Sequence, residues 1–237
     1  MSQTVGIITC PGACDDRDAA HAVELMGATP VALWHAEADL KGVDAVLVPG
    51  GFSYGDHLRP GAIAALSPVM SAVARHAAAG GRVLGICNGF QVLTEARLLP
   101  GALRPNATLR FRCHDVLLRV EHESDWLPGV SPGAALMIPI KHHDGCFFAT
   151  ADELRRLDDG GQVLLRYEPN PNGSVDAIAG VTNAAGNVAG LMPHPEHAVD
   201  ALLGSTDGRV LLAGLLGRSD PTPALATIGS PEALRAV

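Results

Sequence analysis

The chain has 237 residues, 47% of them apolar and only 4% aromatic, enough for one large α/β domain with a core of small aliphatic side chains. A formal charge of −8 argues against a nucleic-acid binder, whose phosphate partner calls for a basic face. The start, MSQTVGIITCPG, lacks the basic segment of a signal peptide, and no apolar run reaches membrane-spanning length. The five cysteines (10, 14, 87, 113 and 146) show no C-x-x-C pairing. A disulfide framework or structural zinc site is therefore not expected, and a reducing cytoplasm is.

Residues 5–8 form a short apolar run closed by Cys10-Pro11-Gly12. Residues 15–26 suit a helix, with Ala20, Val23 and Met26 on one face and Asp15 or Asp16 near its N-cap. Strands are expected at 31–34 and 44–49, the second running into Gly50-Gly51-Phe52-Ser53-Tyr54-Gly55-Asp56. This glycine-rich loop matches neither phosphate-binding pattern, G-x-x-x-x-G-K-[ST] or G-x-G-x-x-G. Its bare N–H groups suit a developing oxyanion instead. Residues 62–79 read as a helix interrupted near Pro68. Alternation of continuous apolar strands with helices predicts a parallel sheet covered on both faces. From residue 108 the pattern changes to half-exposed strands (108–120, 135–140, 162–167, 174–181 and 188–191), with short helices at 151–157 and 208–216. Residues 1–218 are expected to form one domain and residues 219–237 a peripheral tail.

Two stretches carry chemistry. Gly85-Ile86-Cys87-Asn88-Gly89 lies between an apolar strand and a helical stretch, the G-x-C-x-G form of a nucleophile elbow. Its glycines permit a strained apex, and the following helix N-terminus favours a thiolate at Cys87. A buried cysteine between strand and helix would give the same local sequence. A thiol nucleophile needs a base and a group to orient that base. His194-Pro195-Glu196 offers both: Pro195 favours an extended His194, which would set His194 and Glu196 side by side. His142-His143-Asp144 is a competing base or metal grouping, and His197 adjoins the proposed base.

Together, Gly85-Ile86-Cys87-Asn88-Gly89-Phe90-Gln91 and Pro193-His194-Pro195-Glu196 resemble the class I (triad) glutamine amidotransferases. Pro49-Gly50-Gly51-Phe52-Ser53-Tyr54-Gly55-Asp56, Leu98-Leu99-Pro100-Gly101 and Asn170-Pro171-Asn172-Gly173-Ser174 narrow the resemblance to one family, the glutaminase subunits of phosphoribosylformylglycinamidine synthase. The likeness spans residues 5–217. It implies a flavodoxin-like α/β fold, a mostly parallel central sheet flanked by helices, with further antiparallel strands in the second half. It implies hydrolysis of L-glutamine to glutamate and ammonia, with Cys87 as nucleophile, His194 as base and Glu196 holding the ring. Gly51 and Asn88 would supply the oxyanion hole, and Gln91 would contact the substrate. No metal or cofactor is implied in this chain. ATP and magnesium belong to a large synthetase subunit, which aminates formylglycinamide ribonucleotide in purine synthesis, and a small third subunit bridges the two.

The chain departs from this family at several positions: Cys14-Asp15 stands for Asn-Cys, and Pro60 for a cysteine. Lys141-His142-His143-Asp144-Gly145 stands for Ala-His-Gly-Glu-Gly, and His197 for an arginine-like residue. None touches Cys87, His194 or Glu196. A hydrolase or stress protein of the related cysteine-elbow superfamily would explain residues 85–89 but neither the distant PHPE nor the GGFSYGD loop.

Overall fold

The computed structural model describes residues 2–221; most of the expected tail, residues 222–237, lies outside them. The elements run β1 (Thr4–Thr9), α1 (Asp16–Leu25), β2 (Thr29–Trp34), β3 (Ala45–Val48), α2 (Pro68–Ala78), β4 (Arg82–Ile86), α3 (Asn88–Glu95), β5 (Ala102–Arg104), β6 (Arg112–Val120), β7 (Ala135–His142), β8 (Cys146–Phe148), α4 (Ala151–Asp159), β9 (Val163–Tyr167), β10 (Ile178–Thr182), β11 (Val188–Leu191) and α5 (Arg209–Leu215).

Nine strands form one sheet in the order β2-β1-β3-β4-β11-β10-β9-β6-β7. The first five are mutually parallel, and the remaining pairings are antiparallel. Burial follows pairing. Every residue of β3, β10 and β11 is buried, as expected of strands covered on both faces. In β6 and β7 buried and more exposed residues largely alternate, so one face there meets water. Ile7, Val46, Leu47, Leu84, Ile86, Val188 and Leu191 fill the centre of the core.

Helix starts and stops follow local chemistry. Pro68 occupies the first turn of α2, where its missing N–H costs nothing, and a separate 3-10 turn, Ala64–Leu66, precedes it. This is the expected interruption. Gly27, at φ 72°, takes the left-handed position after α1. Thr150 and Glu153 close a reciprocal capping box on α4.

Two expectations need correction. The strand expected from 108 begins only at Arg112, because Leu109 is left-handed at φ 53°. The strand expected from 174 begins at Ile178, after a 3-10 turn in which Asp176 and Ala177 have φ 48° and 54°. Asp15 occupies the N-cap position of α1, as expected, although it makes no capping bond and its side chain is ion-paired with Lys141 instead. A small antiparallel pair, β5 with β8, was not expected from the sequence.

Candidate active site

The strand order assembles the site. β4 lies between β3 and β11, with Val48 level with Gly85 and Leu191 level with Ile86. The loops leaving these three parallel strands therefore emerge together at their carboxyl ends, where open α/β sheets bind ligands. The Cys87 N–H donates to Leu191 O at 2.8 Å, and the His194 N–H donates to Pro139 O at 2.8 Å. The elbow is thus tied to β11, and the PHPE loop to β7.

Cys87 sits at φ 50°, ψ −105°, an uncommon conformation for a residue with a side chain. Its flanking glycines are required by contact. A Cβ on Gly85 would lie 2.7 Å from Gly89 O, and one on Gly89 would lie 1.8 Å from Val48 O. The strain holds the thiol at the start of α3, 6% exposed and lining a small cavity of about 70 Å³. A larger groove between Arg82, Leu127 and Arg218 contains no cysteine or histidine.

The structure brings His194 and Glu196 together, though not by the expected route. Residues Pro195–His197 form a 3-10 turn rather than extended chain. Within it, Glu196 Oε1 lies 2.6 Å from His194 Nδ1, and both side chains are wholly buried. A carboxylate on Nδ1 fixes the ring proton there and leaves Nε2 as the basic nitrogen. That Nε2 is buried without a well-formed hydrogen bond, yet the Cys87 thiol is near enough to act on the ring's titration. Loose nucleophile–base contacts are usual before substrate binds. Burial alone would lower the His194 pKa. The Glu196 carboxylate, and after it Cys87, outweigh burial and raise it to about 10. Burial would raise Glu196, but His194 beside it brings its pKa below the usual value.

Gly51 lines the same cavity at φ 149°. Among the described residues, neither its N–H nor that of Asn88 donates to a protein acceptor. The Asn88 side chain couples the two segments: its Oδ1 accepts from Ser53 N at 3.2 Å and from Ser53 Oγ at 2.5 Å. Gln91 is on the cavity wall, but its amide is already used. It accepts from Asn88 Nδ2 at 2.8 Å and donates to Asp144 O at 2.7 Å. Gln91 thereby fastens the segment after β7 to α3.

His142 also reaches the cavity. Its Nδ1 lies 3.0 Å from Asn106 Oδ1, which also accepts the Gly145 N–H. The amide orientation is thus fixed, and the ring proton sits on Nδ1. Burial, then the neighbouring His194, pushes the His142 pKa down to about 3, so the ring is neutral. His143 is half exposed and bonded to Asp144 at 2.9 Å.

Sequence reasoning did not place Asp15, Lys141, Asp56 or Phe111 at this cavity, all of which line it. Burial, then repulsion from Asp144, raises the Asp56 carboxyl to about 6. Among the described residues, two groups of ligand-type side chains converge: His194 with Glu196 and His197, and Asp15 with Asp18 and His197. They share the atoms already engaged in the His194–Glu196 and His197–Asp18 hydrogen bonds.

The arrangement can deprotonate a thiol, hold the resulting imidazolium against a carboxylate, and offer two backbone N–H groups beside the nucleophile. Comparison with known proteins agrees in kind. The family of CobB/CobQ-like glutamine amidotransferase domains matches residues 2–209. The phosphoribosylformylglycinamidine synthase subunit PurQ of Mycolicibacterium paratuberculosis is 58% identical over 193 residues, 81% of this chain and 86% of the relative. PurQ of Corynebacterium efficiens is 55% identical over 193 residues, with the same coverage of both chains. A chain in the structure of PurLQS from Thermotoga maritima superposes with a TM-score of 0.85 at 40% identity, covering 91% of this chain and 98% of that one. These likenesses place the chain among the glutamine amidotransferases: it belongs to the family of the PurQ subunits of phosphoribosylformylglycinamidine synthase.

Proposed function

We infer that this chain is the glutaminase subunit of phosphoribosylformylglycinamidine synthase, and that it releases ammonia from L-glutamine for a synthetase subunit in purine synthesis. The observation that carries the reading is the convergence of Cys87, His194 and Glu196 at the ends of β4 and β11, with His194 Nδ1 held 2.6 Å from Glu196.

His194 Nε2 takes the Cys87 proton to form a thiolate–imidazolium pair, the form that the raised His194 pKa favours, and the thiolate attacks the side-chain amide carbon of glutamine. The N–H groups of Gly51 and Asn88 receive the oxyanion. The imidazolium returns its proton to the amide nitrogen, the C–N bond breaks, and ammonia leaves a glutamyl thioester on Cys87. Water, deprotonated by the same ring, attacks the thioester; glutamate leaves and the thiol is regenerated. Glu196 keeps the ring oriented and stabilises its cationic form throughout. The neutral His142 from β7 and the Gln91 amide from α3 shape the glutamine cleft.

Ammonia is then used by a large synthetase subunit that binds ATP and magnesium and aminates formylglycinamide ribonucleotide, with a small subunit bridging the two. This chain needs no cofactor of its own and works in the cytoplasm. One observation supports this reading: relatives over 50% identical are named as synthase subunits. The test is reconstitution. This chain mixed with the synthetase and small subunits should aminate the ribonucleotide with glutamine as nitrogen donor. Cys87→Ala should lower the glutamine-dependent rate at least about a thousandfold, while added ammonia still supports turnover. Undiminished glutamine-dependent turnover in the variant would exclude the reading.

A further inference from the structure

His194 Nδ1 faces two carboxylates, not one. Glu196, on its own loop, is at 2.6 Å. Asp15, from the start of α1, brings Oδ2 to 3.6 Å. The Asp15 side chain is only 3% exposed, and its other oxygen, Oδ1, is ion-paired with Lys141 Nζ. Gly50 keeps the space between them open: a Cβ there would lie 2.2 Å from Asp15 Oδ2 and 2.8 Å from His194 Cε1. Lys141 also touches the nucleophile, since its carbonyl oxygen lies 3.7 Å from Cys87 Sγ.

Nδ1 carries a single proton when Nε2 is the base. Two carboxylates within reach therefore compete for it. A buried carboxylate without a cation is costly, and it relieves that cost by taking a proton or by holding a neighbouring cation. Asp15 without Lys141 would find that cation in the His194 ring.

We propose that Asp15 and Lys141 form a positioning pair for the base: Lys141 holds Asp15 back from Nδ1, so the ring proton goes to Glu196 alone and Nε2 stays directed at Cys87. The two charges also nearly cancel as seen from the ring. His194 is faced by Glu196 and His197 from its own loop, Cys87 from the elbow, Asp15 from α1, and Lys141 and His142 from β7. His197 stacks on it at 5.3 Å and is itself bonded to Asp18 at 3.1 Å. His197 Nε2 also lies 3.9 Å from Asp15 Oδ1, but Lys141 is the closer partner of that oxygen, and removing either member of the Asp15–Lys141 pair changes the net charge that faces the ring.

The inference rests on the glutaminase reading, and its test is the pH profile of kcat/KM for glutamate release by the assembled complex. Lys141→Met leaves Asp15 to stabilise the imidazolium of the Cys87–His194 pair, so the alkaline limb, where that ring loses its proton, moves up by about one pH unit and kcat falls. Asp15→Asn leaves the lysine cation, so the limb moves down by a similar amount. The double variant returns towards the wild-type limb, because neighbouring charges are non-additive, and Lys141→Arg restores the wild-type profile. If both single variants keep the wild-type limb, even with a lowered Tm, the pair is only structural and the proposal is overturned. Should Lys141→Met fail to assemble, Asp15→Asn and the double variant still decide it. A wild-type complex that releases no glutamate would instead overturn the parent reading.

Discussion

At the scale of single residues, the site depends on a few side chains held in costly states. Cys87 is strained at φ 50°, and His194 and Glu196 are buried ionisable groups stabilised by each other. For His194 the folded pKa lies above the ordinary 6.5, so its contribution to stability is complete below about 6.5 and is lost as pH rises through about 10. For Glu196 the folded pKa lies below 4.5, so its contribution is present above that value and is lost as pH falls. Glu196→Gln removes this coupling. The Tm difference between wild type and variant should be widest between about pH 4.5 and 6.5 and narrow on either side. Glutamine-dependent kcat should fall by about two to four orders of magnitude, because an amide no longer fixes the ring's tautomer or supports its charge. An unchanged kcat, or a Tm difference flat across pH, would contradict the coupling.

The nucleophile, base and orienting carboxylate were legible as residues, because an elbow needs glycines where backbones touch and PHPE sets a carboxylate two residues from an imidazole. Asp15 was not legible in its real setting. A carboxylate before an amphipathic helix reads as an N-cap, and nothing local reveals Lys141 on a strand more than a hundred residues away. Both also lay in stretches that depart from the family pattern; in the structure they are the two ends of one ion pair.

At the scale of elements, the strands and helices were mostly readable and their order was not. Periodicity identifies β4 and β11 as buried strands, but only the fold makes them neighbours. It is that adjacency, with β3 on the other flank, that brings the GGFSYGD loop, the elbow and the PHPE loop to one place. The short pair β5–β8 escaped notice because three-residue strands carry too little pattern. The left-handed Leu109, Asp176 and Ala177 shortened two strands without a glycine to signal it. The packing of α3 on β3 gives a prediction at this scale. Gly89→Ala would place a methyl group 1.8 Å from the Val48 carbonyl, which a helix wedged against a strand cannot easily accommodate. Urea melts should show a loss of about 1–3 kcal/mol, and displacement of Cys87 should lower glutaminase activity as well. A variant as stable and active as wild type would mean that α3 can move away from the sheet without disturbing the elbow.

At the scale of the whole molecule, the chain is a sheet of two kinds. The parallel part carries the nucleophile and base loops at its carboxyl ends, as doubly wound folds do. The antiparallel part is more than an appendage, because β7 delivers Lys141 and His142 to the cavity and its Pro139 carbonyl holds the His194 backbone. Hydrophobic periodicity foresaw the change of pattern after residue 108 but could not show that the second half contributes to the cavity at the ends of the first. The central claim is that Cys87 carries glutamate covalently, and it is tested most directly by acid-quenching the assembled complex during glutamine turnover and mapping the modified peptide by mass spectrometry. A glutamyl adduct on Cys87, absent from Cys87→Ala and discharged when glutamine is exhausted, is the predicted result. Glutamate release at the wild-type rate by Cys87→Ala, or an adduct on another residue, would contradict it.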